Sequence, residues 1–352
     1  MWETFLNIAD ITVRISSQNP PQEEWEGHKG ETDQPVDYFD KVARARERFN
    51  AKELRLSLKP LKRFFSTSKQ GKVDIDIDLV TSPRYRRFKK KVLFSAEKDI
   101  APLGGILHNK TNPSQGQQTS GEVEKYLSPG LDWRIAKSGK NFLLEGGVAN
   151  RYQLLINDKL NKGKVFIISS EQNWQMTGIV HGFLLILIIH YLAKYKLGVL
   201  VHASGVKDGK NGYLFTGLSG AGKSTTSKIW DSVPSVSVLN DDRIIIKKEK
   251  NTFFMYPTPW HGDYADCLKR SVKRAPLTKM FYIYHKKNNK AQKILLAQTF
   301  DFFFKTLFIP FWDHEAMRFT SDFLSEIFSR TPAYEFGFKN DEKIIDYVRK
   351  IK

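Results

Sequence analysis

Eight consecutive residues, Gly217-Leu218-Ser219-Gly220-Ala221-Gly222-Lys223-Ser224, constrain this chain more than any other feature. They satisfy the phosphate-loop pattern in full: a glycine, a free stretch, then Gly-Lys-Ser. Each part has a physical job. The glycines permit backbone conformations that turn N–H groups into one concavity, a nest for anionic oxygens. A helix beginning near Lys223 adds its positive end. The Lys223 ammonium can reach terminal phosphates, and Ser224 offers a hydroxyl to a magnesium ion. The candidate nucleotide-binding set is therefore Gly217, Ser219, Gly220, Ala221, Gly222, Lys223, Ser224 and Thr225, with ATP and Mg2+ as the expected ligands.

The surrounding segments narrow the class. Tyr213 to Thr216 is a strand that feeds the loop, and Lys223 to Asp231 a short helix that leaves it. Val236 to Leu239 is an apolar strand ending in Asn240-Asp241-Asp242-Arg243. The two aspartates lie 18 and 19 positions after Lys223. Strand-end carboxylates of this kind supply a metal contact and a general base in phosphoryl transfer. An aspartate pair can also simply cap a turn. Ile244 to Lys248 and Phe253 to Tyr256 read as a hairpin, as do Leu197 to Ser204 and Tyr213 to Thr216, joined through Lys207 to Gly212. A phosphate loop set between hairpins argues against a switch GTPase or a RecA-like motor. His202, in the first hairpin, would return close to the loop and could move a proton or contact a phosphate, though a lone histidine is more often structural.

The chain has 352 residues and a formal charge of +18, with 56 basic against 38 acidic side chains. Such length suggests about two domains, divided here into 1–150 and 151–352. The balance favours anionic partners. The only cysteine is Cys267. A disulfide framework and a cysteine-rich zinc site are excluded, and a reducing cytoplasm is the expected compartment. No leader is expected from Met1-Trp2-Glu3-Thr4. The longest apolar stretch, Phe183 to Ile189, falls short of the roughly 18 residues of a membrane span and reads as part of a buried helix, Met176 to Lys196.

Phe5 to Ser16 reads as one strand, residues 18–36 and 103–131 as loops, and 38–53 as a polar helix. Val73 to Val80 alternates strictly, with Asp74, Asp76 and Asp78 on one face; the expectation is a solvated edge strand. Arg84 to Lys91 carries six basic residues around two aromatics. No nucleic-acid motif surrounds it, so a solvated or protein-docking face is the favoured reading over nucleic acid. Lys269, Arg270, Lys273 and Arg274 would share one helix face; a solvated face is the favoured reading, and the alternative is that Arg270 or Arg274 reaches a transferring phosphoryl group. Residues 300–328 read as Phe-rich helix broken at Pro310.

The runs Val201-His202-Ala203-Ser204-Gly205, Gly217 to Ser224, Asn240 to Arg243 and Pro257-Thr258-Pro259-Trp260-His261-Gly262 resemble the HPr kinase/phosphorylase family, and more closely its relatives in bacterial biosynthetic clusters. The resemblance covers roughly 150–352. It implies an α/β protein, a mixed α+β sheet of the phosphoenolpyruvate-carboxykinase-like kind, with a divergent β-rich N-terminal region. It implies that Lys223 and the loop hold ATP, that Ser224 and Asp242 hold magnesium, that Asp241 takes the proton from a serine hydroxyl, and that His202 is the active-site histidine. The order within the aspartate pair stays open. The glycine-rich signature of the bifunctional enzymes is missing from Arg274 to Ile283, so the reverse phosphorylase activity and HPr as substrate are not expected.

The function expected is an ATP- and Mg2+-dependent kinase acting on a peptide or small protein with an acceptor serine, with homo-oligomerisation implied by the resemblance alone. The alternative is a nucleotide-binding regulatory or assembly protein that transfers no phosphate to a partner.

Overall fold

The computed structural model describes residues 1–21, 62–66, 71–84, 86–95, 133–146, 152–168, 176–269 and 272–351. The readings of 22–36, 38–53, 103–131 and Arg270 fall outside them. The chain is an α+β protein built on two mixed sheets.

Among the described residues the first sheet holds β1 (Trp2–Ile8), β2 (Ile11–Ser17), β3 (Phe65–Ser66), β4 (Ile75–Ser82), β5 (Lys91–Ser95), β6 (Arg134–Ser138), β7 (Asn141–Gly146), β8 (Tyr152–Ile156) and β9 (Lys162–Ile168), in the order β3-β1-β2-β4-β9-β8-β7-β6-β5. Phe5 to Ser16 is not one strand. Ala9 and Asp10 adopt φ of 51° and 63° and fold it into the β1–β2 hairpin, a tight turn made without the usual Asn-Gly signal. The Asp74–Asp78 strand is not an edge either. β4 runs parallel between β2 and β9, and its charged face is neutralised by Arg14 on Asp76 and Lys164 on Asp78. β8 and β9, which follow residue 150, pair within this sheet.

Helices α1 (Met176–Ile179) and α2 (Leu185–Lys194) come next, joined by a π turn over Val180–Leu184. The single long helix expected here breaks at Gly182, whose ψ of −116° is not helical. α2 is buried almost all round, which explains its unbroken apolar run.

The second sheet is organised by one long strand, β10 (Gly198–Asp208), followed by β11 (Asn211–Thr216), α3 (Lys223–Asp231), β12 (Val236–Asn240), β13 (Arg243–Glu249), β14 (Thr252–Pro257), β15 (Ala275–Pro276), β16 (Lys279–His285), β17 (Lys290–Lys293), α4 (Leu296–Phe303), β18 (Leu307–Phe308), α5 (His314–Arg330), β19 (Ala333–Phe338) and α6 (Lys343–Lys350). The Phe-rich stretch is thus two helices separated by a short strand, not by Pro310 alone. Asp313 caps the second, accepting the Ala316 N–H at 3.1 Å. No helix carries Lys273 and Arg274. They lead into β15, where Arg274 bonds Glu249 and covers the Phe254 ring.

β10 changes partners half-way. Residues 198–202 pair with β13, and 205–208 with β12, along the same edge. On the other edge 203–208 pair with β11, and Leu200 and Val201 with β18. Asp241 and Asp242 occupy the interruption between β12 and β13. β11 also ends at this level, with Thr216 opposite Ala203. The phosphate loop and the aspartate pair therefore leave the two strands that flank β10 at one height.

Two buried layers fix this arrangement. One joins the first sheet, α1 and α2 to the aromatic set Tyr213, Phe215, Trp230 and Phe281. The other fills the space between the second sheet and α4 and α5. Among the described residues no helix is long and apolar enough to cross a membrane.

Candidate active site

Gly217 to Gly222 form a turn between β11 and α3. Gly220 and Gly222 have φ of 76° and 96°, in the left-handed region that suits glycine. A Cβ on Gly222 would lie 2.7 Å from Phe338 and 2.9 Å from His285, so the loop is also walled from outside. The His285 ring lies 3.1 Å from the Gly220 carbonyl. Lys223 is buried, and its ammonium donates to the carbonyls of Gly217 (3.0 Å) and Leu218 (3.1 Å). Burial pushes it down to about 8, against the pull of Asp242 and Asp241. Ser219, Ala221 and Thr225 are half-buried on the loop and the first turn of α3.

Asp241 faces the loop. Its Oδ2 accepts the Ser224 hydroxyl at 2.9 Å and the Tyr264 N–H at 2.9 Å, and its Oδ1 accepts the Gly262 N–H at 2.8 Å. A Cβ on Gly262 would come 2.9 Å from that carboxylate, so close approach explains the glycine. Burial, then the neighbouring Asp242 charge, raises Asp241 above the usual carboxylate range despite these three donors.

Asp242 faces the other way. His202 Nδ1 lies 3.0 Å from Oδ1, and Arg243 lies 2.8 Å from Oδ2. Burial alone would raise this carboxyl. Arg243, His202 and Lys223 outweigh it and hold Asp242 well below the usual range. Burial lowers His202, against the attraction of Asp242. The turn is set by buried Asn240, whose Oδ1 accepts the N–H of Asp242 (2.8 Å) and of Arg243 (3.1 Å) while its amide donates to the Thr258 carbonyl at 2.9 Å. Ala203 N–H donates to the Asp242 carbonyl at 2.8 Å and fixes the pair to β10.

The structure brings His202, Lys223, Ser224, Asp241 and Asp242 together. It does not bring Arg274, whose partner Glu249 lies six residues beyond Arg243, roughly 20 Å along an extended strand. The arginine beside the pair is Arg243, within a run legible as Asn-Asp-Asp-Arg. Sequence reasoning also missed Asn240 as the clamp, the N–H groups of Gly262 and Tyr264, and His285. Only the first two lie within or next to motifs the sequence displays. Cys267 is buried, which pushes its thiol up and leaves it no part in nucleophilic chemistry.

No family model matches the chain, and no curated protein matches it. Among solved structures, the Hpr(Ser) kinase/phosphatase from Coxiella burnetii is similar over 43% of this chain and 93% of that one, at 15% identity and a TM-score of 0.27. That likeness is weak.

Proposed function

We propose that this chain is a kinase that uses ATP and Mg2+ to phosphorylate a hydroxyl, the serine of a peptide or small protein. The observation that carries the reading is the division of labour between two adjacent carboxylates: Asp241 on the phosphate-loop serine, Asp242 on a histidine and an arginine. Environments that push two neighbouring acids apart mark distinct roles.

The residues present fit the ion. Ser224 Oγ and Asp241 Oδ2 are hard oxygen donors 2.9 Å apart. Among the described residues no group of three or more His, Cys, Asp or Glu could cage a metal. A short donor set of this kind suits magnesium, which keeps its waters and shares phosphate oxygens. Bound there, it would neutralise charge on the phosphates.

In this reading Asp241, bonded to the phosphate-loop serine, stands on the metal side and Asp242 serves as the base, opposite to what the resemblance implies. Lys223 exchanges its loop carbonyls for phosphate oxygens. The ionised Asp242 accepts the proton of the acceptor hydroxyl as its oxygen bonds to the γ-phosphorus and the bond to ADP breaks. His202 orients Asp242, and Arg243, on its other oxygen, would meet charge on the transferring group. The test is Asp242→Asn. It should keep MgATP affinity and lose transfer, whether to a peptide hydroxyl or to water. Undiminished transfer by this variant would refute the assignment.

A further inference from the structure

Residues 86–91 of the basic stretch are built into the fold rather than loose. Arg86 is held through both backbone groups: its N–H donates to Gln153 Oε1 at 2.8 Å, and its carbonyl accepts Gln153 Nε2 at 2.9 Å. The second Gln153 N–H donates to Glu145 Oε1 at 3.1 Å, and Glu145 in turn holds Lys90 and Arg134. Gln153 and Glu145 are fully buried. Burying a carboxylate is costly unless it is fully bonded, and here part of that bonding secures the conformation of an exposed segment.

Arg86 covers the Phe166 ring at 4.4 Å, Phe88 packs on the same ring, and Lys90 meets Glu145. Arg87, Lys89 and Lys91, at every second position of the chain, are exposed. Among the described residues none of the three has an ion-pair partner, and Lys91 stands directly across the ladder from another cation, Lys137. The row runs on into exposed Val92 and Leu93, while Phe94 turns inward onto Trp133 and Trp312.

We propose that this row is the docking site for an extended acidic segment of a protein partner, its carboxylates at alternate positions and its aliphatic side chains on Val92 and Leu93. Nucleic acid fits less well. Among the described residues of the row, Phe88 packs on Phe166 and Phe94 is buried, so neither is offered to a base, whereas single-stranded nucleic-acid surfaces present aromatic platforms. The proposal goes beyond phosphoryl transfer and does not depend on it.

The test is fluorescence anisotropy of the full chain with a short labelled peptide in which glutamate alternates with valine. Wild-type protein should bind it, and more weakly as salt rises. The combined variant Arg87→Glu, Lys89→Glu, Lys91→Glu should weaken binding by about tenfold or more, since three exposed attractions become repulsions. The corresponding triple alanine variant should lie between, with an unchanged circular dichroism spectrum. Equal binding by wild type and the reversal variant would overturn the proposal. So would an oligothymidylate strand that binds more tightly than the peptide through the same three cations, which would assign the row to nucleic acid.

Discussion

Ser224 donates its hydroxyl to the Asp241 carboxylate over 2.9 Å, and this bond joins the first turn of α3 to the end of β12. It sets the two aspartates apart, because Asp242 has no such contact and bonds His202 and Arg243 instead. The two asparagine variants should therefore fail differently. Asp242→Asn should lower the transfer rate about a hundredfold or more at unchanged MgATP affinity, as removal of a general base does. Asp241→Asn should raise the magnesium concentration needed for half-maximal rate. Steady-state kinetics with magnesium and ATP varied independently separate the two.

Lys223 supplies a pH dependence whose sign is fixed. Its ordinary value is 10.5, and burial brings it to about 8 in the folded chain. Between those values the unfolded chain binds more protons, so stability rises with pH across that window, and the cost of the buried charge is present in full below it. Lys223→Met should remove the rise, as urea unfolding on either side of the window would show. Phosphate oxygens favour the charged form, so MgATP affinity should fall as pH rises through about 8, with proton uptake on binding measurable by calorimetry in buffers of different ionisation heat.

Gly222 has φ of 96°, with Phe338 and His285 against the place a Cβ would take. Gly222→Ala should cost about 1–2 kcal/mol from backbone strain alone, and more from the collision. Thermal unfolding should record that loss. Nucleotide affinity should fall with it, because the loop must move away from His285 to accommodate the methyl group.

His190 and Asp313 join α2 to the cap of α5 through a 2.9 Å hydrogen bond. That bond holds Asp313 well below the usual carboxylate range, against its partial burial. Asp313→Ala should destabilise the chain by about 1–2 kcal/mol, the scale of a lost N-cap. A depressed carboxylate stabilises above its ordinary range and loses that contribution as pH falls through its folded value. The gap between wild type and variant should therefore close in acid.

Much of the second sheet was legible in the sequence. The helix Lys223 to Asp231 and the hairpin Arg243 to Pro257 follow local patterns, and the sequence-read bounds lie close to the observed ones. The phosphate loop could be read because its glycines and lysine answer to local backbone needs. What escaped depends on pairing across the chain. Nothing near Asp76 announces Arg14, 62 residues away, which makes an inner strand tolerate a charged face. The Ala9–Asp10 turn escaped because a non-glycine pair adopts a glycine-like conformation. By charge alone Arg274 fits a solvated face or a phosphate contact, and only the placement of Glu249 removes it from the site. The roles of Asp241 and Asp242 cannot be ordered from two adjacent letters, since their difference lies in which strand each faces.

The measurement that bears most directly on the account is phosphoryl transfer from γ-labelled ATP. Purified chain would be incubated with magnesium and an extract of its own source, beside the Lys223→Ala and Asp242→Asn variants. The account predicts an acid-stable labelled serine on a peptide or small protein with wild type, and none with either variant. Wild-type protein that binds MgATP yet yields no label dependent on Lys223 and Asp242 would contradict it.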